Sequence, residues 1–147
     1  MVATSLRPTS RSWTSISFSS TLYLHPVLDL LLAEVPPHCH AELRLGLQEA
    51  LVNAAKHGNE LDPNKLVLVH FTVVRHQYWW IISDQGSGFV TPGRCSASPK
   101  KLPQADCECG RGLYILYQIF DRVYWNAKGT ALRLCKSVSD RSQTPVH

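Results

Sequence analysis

The sequence predicts a two-layer α+β sandwich, in which a mixed, mostly antiparallel sheet is covered by helices on one face. Its 147 residues suit a single domain. The predicted elements follow the order strand, helix, helix, strand, strand, helix, strand, strand, which lacks the strict alternation of parallel βαβ folds. Two pairs of neighbouring strands are joined by short links, and links of that length make antiparallel hairpins.

The composition is that of an ordinary globular domain. Hydrophobic residues make up 44% and charged residues 18%, so the chain can bury a core. The net charge of +4 is spread along the chain, which does not indicate a nucleic-acid partner and suits an anionic small ligand equally well. Five scattered cysteines suggest no secreted disulfide framework, and no apolar run approaches about 20 residues. We therefore expect a cytoplasmic protein with no direct nucleic-acid contact and no membrane span.

The N-terminal region begins with a predicted disordered polar tail over residues 1–12. The first 28 residues contain no acid and could also mimic an organelle transit peptide, although we favour the tail. Trp13–Phe18 alternates between two faces, which predicts an edge strand. Pro26 suits the first turn of a short helix over Val27–Val35, and the prolines at positions 36 and 37 stop that helix.

The second helix is the clearest element and is predicted from about His38 to His57. It ends at Gly58, a residue suited to the left-handed position that closes many helices. Residues at three- and four-residue spacing form its core face: Leu43, Leu47, Leu51 and Ala54. Glu49, Asn53 and His57 recur every four residues and form a polar stripe on another side of the same helix.

The C-terminal half contains two predicted hairpins separated by an irregular segment and a helix. Lys65–Arg75 and Gln77–Asp84 form the first hairpin, with its turn at His76. Gly86–Gly110 carries no periodicity, and a segment of that length is usually a functional lid or disordered. A helix over Arg111–Phe120 follows it. The predicted chain closes with a second hairpin and a polar tail, at Asp121–Asn126, Thr130–Lys136 and residues 137–147.

Asp84, Gly86 and Gly88 come directly after a predicted strand. The end of the strand places the carboxylate at the rim of the sheet, and the glycines let the backbone approach a flat ligand closely. A plain Asp-x-Gly turn is the alternative interpretation. The motif is no dinucleotide fingerprint, because a third glycine at the required spacing and a following helix are both missing.

Gly110, Arg111 and Gly112 open the helix that follows the irregular segment. Free backbone N–H groups and the positive end of the helix dipole make such a position suitable for an anion. A flexible joint between loop and helix is the alternative. The chain contains no P-loop motif and none of the protein-kinase motifs, so neither of those frameworks would hold a nucleotide.

Glu49 and Asn53 lie one turn apart on the second helix. An Asn oxygen can supply one ligand to Mg²⁺, whose other ligands come from water and phosphates. A Glu one turn earlier can accept a proton from an attacking hydroxyl group. An isolated pair of this kind is more often a solvated helix face, and the spacing of cysteines and histidines indicates no zinc site.

Four motifs occur together and in a meaningful order. Residues 49–59 (EALVNAAKHGN) resemble the N-box of the GHKL ATPases, and residues 84–89 (DQGSGF) resemble their D-x-G-x-G box. Residues 110–113 (GRGL) resemble their second glycine box, and residues 128–130 (KGT) resemble the Gly-Thr before their last strand. The resemblance covers residues 13–136. In its N-box sequence and its short length, the chain is most similar to bacterial anti-sigma factor serine/threonine kinases of the cyanobacterial type.

The resemblance implies a Bergerat-fold ATPase domain over residues 13–136, with an ATP lid and with ATP and Mg²⁺ as cofactors. It implies that Glu49 is the general base toward a serine hydroxyl, that Asn53 binds Mg²⁺, and that Asp84 accepts a hydrogen bond from the adenine amino group. It also implies further residues beside the nucleotide: Gly86 and Gly88 under the base, Gly110, Arg111 and Gly112 at the phosphates, Thr130 near the adenine, and His57 at the end of the N-box.

The partners that the resemblance implies are proteins. They are a sigma factor that the domain sequesters and an antagonist protein whose serine or threonine it phosphorylates, and a homodimer is possible. One alternative is a non-catalytic module in which nucleotide only shapes a protein-binding surface. The detached catalytic part of a histidine kinase is less favoured, because the chain has no room for a dimerising helical hairpin with its phospho-acceptor histidine.

Overall fold

The computed structural model describes residues 12–88 and 108–139. Most of the predicted lid, residues 89–107, lies outside these ranges, as do residues 1–11 and 140–147 of the predicted tails. The described elements are β1 (Thr14–Ser19), α1 (His25–Leu32), a 3₁₀ turn (Pro37–Cys39), α2 (His40–Val52), a π-helical turn (Asn53–Gly58), β2 (Leu66–Val74), β3 (Gln77–Ser83), α3 (Glu108–Ile119), β4 (Arg122–Trp125) and β5 (Ala131–Ser137).

The five described strands form one sheet in the order β1-β2-β3-β5-β4. All four pairings between them are antiparallel. The prediction of a mostly antiparallel α+β sheet is therefore confirmed, and the described strands include no parallel pair. β1 lies at one edge of the sheet, as its alternating sequence predicts, and pairs through contacts such as Ile16 with Val69.

The core lies between the helices and one face of the sheet. Three predicted core residues of α2, at positions 43, 47 and 51, are fully buried leucines. Trp80 of β3 is 1% exposed and packs edge-on against Phe120, with 5.8 Å between the ring centroids. On the opposite face of β2, Leu66 and Leu68 are 40% and 36% exposed. The helices thus cover one face of the sheet, as predicted.

The C-terminal end of α2 differs from the prediction. Gly58 is not among the described residues with positive φ, so the expected left-handed glycine cap is wrong. The helix instead widens into a π-helical turn, in which the Asn59 N–H donates to the carbonyl oxygen of Ala54 over 2.9 Å. The chain then reverses at Glu60 and Leu61, whose φ angles are 55° and 57°. The presence of glycine at position 58 is therefore not explained by its backbone conformation.

Several element ends differ from their predicted positions by a few residues. α1 ends at Leu32 rather than Val35, although Val35 remains buried. α3 begins at Glu108, before the predicted start at Arg111. Beyond β5, Val138 is buried and its N–H donates to the carbonyl oxygen of His76, which ties the end of the sheet to the first hairpin. No helix in residues 12–88 and 108–139 is long and apolar enough to cross a bilayer.

Candidate functional site

The loop that leaves β3 is held between two other segments. The Asp84 N–H donates to the carbonyl oxygen of Thr130 over 2.9 Å, which fastens this loop to the start of β5. The Asp84 side chain accepts a hydrogen bond from the Gly86 N–H over 2.8 Å. Asn126 in turn accepts the Thr130 N–H and donates to its hydroxyl. Asp84 and Thr130, widely separated in sequence, are therefore neighbours at one rim of the sheet.

Glycine occupies three positions where this loop touches its neighbours, because a side chain at any of them would overlap adjacent atoms. A methyl group on Gly58 would overlap the Asp84 carboxylate, and one on Gly86 would overlap the carbonyl oxygen of Gly58. A methyl group on Gly88 would overlap the carbonyl oxygen of Lys128, and its φ of 89° disfavours any other residue. The loop is thus in backbone contact with the end of the N-box on one side and with the β4–β5 turn on the other.

A pocket opens beside this loop, between the sheet and the end of α2. One side chain comes from α2, two from the π-helical turn, and the rest from β3, β4, the loop after β3, and β5 with the residue before it: Ala50, Asn53, Ala54, Ile82, Trp125, Asp84, Thr130 and Leu132. Most of the wall is apolar, and the carboxylate, amide and hydroxyl groups lie among it. The cavity itself is only about 10 Å³ in volume, so the match to a nucleotide base lies in the chemistry of the wall, which is apolar with a few polar groups.

The register of the sheet explains this set. Ile82 and Asp84 lie two positions apart and share a face of the sheet. Ile82 pairs with Leu132, and Leu132 pairs with Trp125, so three neighbouring strands send side chains to the same side. The sequence motifs identify Asp84 and Thr130 but not Ile82, Leu132 and Trp125. Ile82 and Leu132 could have been found from the sequence, because each lies two positions from a motif residue along a strand, before Asp84 and after Thr130.

A second group of predicted residues meets at the start of α3. The Cβ position of Gly112 lies 3.1 Å from Oε2 of Glu49 and 3.6 Å from the side-chain nitrogen of Asn53. Gly112 itself is buried. Gly110 and Arg111 belong to the first turn of the same helix, where backbone N–H groups have no intrahelical partner. The structure thus brings the Glu-Asn pair against Gly112, one turn after the first residue of α3.

His57 is the predicted site residue that does not join these groups. It is exposed, and it is not among the described side chains that line the pocket. The stripe of Glu49, Asn53 and His57 assumes α-helical geometry, whereas the turn that begins at Asn53 is π-helical. His57 lies inside this wider turn, so the four-residue spacing of the stripe no longer fixes which side of the helix it faces.

The electrostatics of the pocket centre on Asp84. Burial raises the pKa of this carboxyl group, and the hydrogen bond from the Gly86 N–H and the charge of Lys65 only partly oppose that effect. Among the described residues, no group of three His, Cys, Asp or Glu side chains could hold a metal ion.

Fold and site together define a nucleotide-binding domain: an antiparallel sheet under helices, a half-buried carboxylate in an apolar pocket, and a helix end beside a Glu-Asn pair. Residues 25–136 match the family described as histidine kinase-like ATPase domain, and the chain belongs to that family. This GHKL-type assignment makes it an ATP-binding domain and covers all the motifs identified in the sequence. A comparison with curated proteins finds no match.

We expect the Asp84→Asn variant to show opposite changes in stability and ligand binding. Because the pKa of Asp84 is raised by burial, the folded protein holds this proton more readily than the unfolded chain, whose value is about 3.9. The linked stability is present at low pH and is lost as the pH rises from about 4 through the folded-state pKa. Asp84→Asn should therefore gain stability relative to the unmodified protein over that range, while ATP affinity falls.

Thermal denaturation of both proteins from pH 4 to pH 7 measures this difference, and calorimetry with ATP measures the affinity. Asp29→Asn is the matched control, because a hydrogen bond from Arg44 lowers the pKa of Asp29, so that the pH dependence from this carboxyl lies below about pH 4 and its variant should show no trend over the measured range. A stability difference between the Asp84→Asn and unmodified proteins that does not change with pH would contradict the prediction.

Proposed function

We propose that this domain is an ATP-dependent protein serine/threonine kinase of the anti-sigma type. It transfers the γ-phosphate of ATP to a serine or threonine of an antagonist protein, and in its other state it sequesters a sigma factor. Family membership supports the ATP-binding part of this proposal. The kinase chemistry and the two protein partners go beyond what family membership supports.

The observation that carries the kinase proposal is the meeting of Glu49, Asn53 and Gly112. The Glu49 carboxylate lies close to Gly112, one turn after the first residue of α3, with the Asn53 amide beside it. A helix N-terminus is where phosphate oxygens bind most readily. A carboxylate next to that position has little use in a domain that only binds nucleotide, because it repels the phosphates. Its proximity is explained if it accepts a proton during transfer.

The residues divide between binding and proton transfer. ATP bound at this site would supply the phosphoryl group, and Mg²⁺ would offset its negative charge. Asp84 accepts a hydrogen bond from the amino group of the base, and the apolar wall of Ile82 and Leu132 excludes water from it. Asn53 offers its amide oxygen to the cation. Glu49 takes the proton of the incoming hydroxyl at its carboxylate and thereby raises the nucleophilicity of that oxygen.

The test is a transfer assay with the purified chain, labelled Mg-ATP and an antagonist protein that carries the acceptor serine. We expect label on the antagonist, loss of that label when its acceptor serine is replaced by alanine, and no transfer from GTP at equal concentration. Calorimetry on the same preparation must show ATP binding that depends on Mg²⁺. Binding of ATP without transfer to any cognate antagonist would overturn the kinase proposal and leave a nucleotide-responsive binding module.

A further inference from the structure

A fully buried polar side chain connects the end of the N-box to the loop that carries Asp84. Asn59 is 0% exposed. Its Nδ2 donates to the Ser20 hydroxyl and to the carbonyl oxygen of Leu66, each over 2.9 Å. Its Oδ1 accepts the backbone N–H of Gln85 over 2.7 Å. Both amide hydrogens and the amide oxygen are thus used, and they reach three separate segments of the chain.

The network continues on both sides of Asn59. The Ser20 hydroxyl donates to the carbonyl oxygen of Lys65, and the Gln85 side-chain oxygen accepts the Leu66 N–H over 2.7 Å. The end of β1, the start of β2 and the loop after β3 are therefore held in one register around a single side chain. Buried networks in which every group has a partner are rigid, since any displacement leaves a polar group without a partner.

Gln85 connects this hydrogen-bond network to Asp84. Gln85 stands between Asp84 and Gly86, whose N–H binds the Asp84 carboxylate. Gly58, the residue before Asn59, packs directly against that carboxylate. The Asn59 side chain therefore holds the backbone of Gln85, the residue after Asp84. The Asn59 main chain is joined directly to Gly58, which packs against the Asp84 carboxylate.

We infer that Asn59 is a positioning residue for base recognition: it holds the Gln85 backbone so that the Asp84 carboxylate faces the amino edge of the bound base. The inference rests on the proposed role of Asp84 in the nucleotide site. A loop released from Asn59 lets the carboxylate turn, and ATP then loses the contact that distinguishes it from GTP. The expected loss is therefore one of discrimination as well as affinity.

The experiment compares three variants by calorimetry with ATP and GTP, well below their melting temperatures. We expect Asn59→Ala to weaken ATP binding about tenfold, which corresponds to about 1.4 kcal/mol, and to lower the ratio of ATP affinity to GTP affinity. Ser20→Ala is the matched control, because it removes one bond to Asn59 and keeps the bond to Gln85. Gln85→Ala removes the side-chain bond to Leu66 and keeps the backbone N–H. In both control variants the ratio of ATP affinity to GTP affinity should equal that of the unmodified protein.

Amide hydrogen exchange provides the second measurement. The Gln85 N–H should exchange slowly in the unmodified protein and in Ser20→Ala, and faster in Asn59→Ala; Asn59→Ser replaces that variant if it does not fold. Equal ATP affinity and an equal ATP/GTP ratio in the Asn59 and Ser20 variants would overturn the inference and leave the proposed function intact. No ATP binding by the unmodified protein would instead reject the proposed function itself.

Discussion

Replacement of Glu49 by Gln is expected to lower the rate of phosphoryl transfer by about 10²- to 10⁴-fold, the usual contribution of a general base. The amide has the shape of the carboxylate but cannot accept the proton of the serine hydroxyl. ATP affinity should change little or rise slightly, because a negative charge beside the proposed phosphate site is removed. Single-turnover transfer from labelled ATP gives the rate, and calorimetry gives the affinity.

The chain supplies a matched control on the same helix. Glu42→Gln makes the identical chemical change on α2, but Glu42 pairs with Lys136 over 2.9 Å, away from the pocket, and is half exposed. Its transfer rate should equal that of the unmodified protein. If Glu49→Gln transfers phosphate at the unmodified rate, Glu49 is not the base. If it loses ATP binding instead, the residue serves the cation or the nucleotide.

Replacement of Gly58 by Ala is expected to destabilise the protein by about 1–3 kcal/mol, the usual cost of inserting a methyl group into filled space. The added methyl group would overlap the Asp84 carboxylate and push it from its position. The φ of Gly58 is not positive, so alanine strains no backbone angle. In a helical turn, alanine without this overlap would even be favoured by about 0.5–1 kcal/mol. Denaturant unfolding measures the net change, and ATP affinity should fall with it.

A double-mutant cycle identifies the cause. In an Asp84→Ala background the carboxyl atoms that the new methyl group would overlap are gone, so Gly58→Ala should be neutral or slightly stabilising there. The two substitutions are then strongly non-additive, as expected for residues in direct contact. An equal cost of Gly58→Ala in both backgrounds would show that the methyl group meets something other than Asp84.

Much of the fold was predictable because periodicity reports burial directly. Leucines at positions 43, 47 and 51 recur every four residues, and all three are fully buried. The two hairpins were predictable from short links between strands, and β1 from its alternation. The ends of elements were less predictable. The widening of α2 into a π-helical turn gave no signal, and the predicted left-handed cap at Gly58 was wrong.

The candidate site divides in the same way. The motifs located Glu49, Asn53, Asp84 and the glycines, because short polar and glycine patterns at element ends stand out from a periodic background. Trp125 was not identified, and Asn59 was included only as the last residue of the N-box, with no role of its own. An isolated tryptophan or a single asparagine after a helix is unremarkable in sequence. What makes them part of the site is the neighbour that each meets in the folded chain.

The sequence by itself determined the order of the elements, the face of α2 that is buried, and the nucleotide motifs with their family. The tertiary structure alone decided that Gly58 lies under Asp84, that Asn59 binds Gln85 across 26 positions, and that Gly112 stands beside Glu49. The physical reason is that periodicity records which side of a helix or strand is buried. It does not record the opposing element, which depends on strand register and on the close approach of backbones.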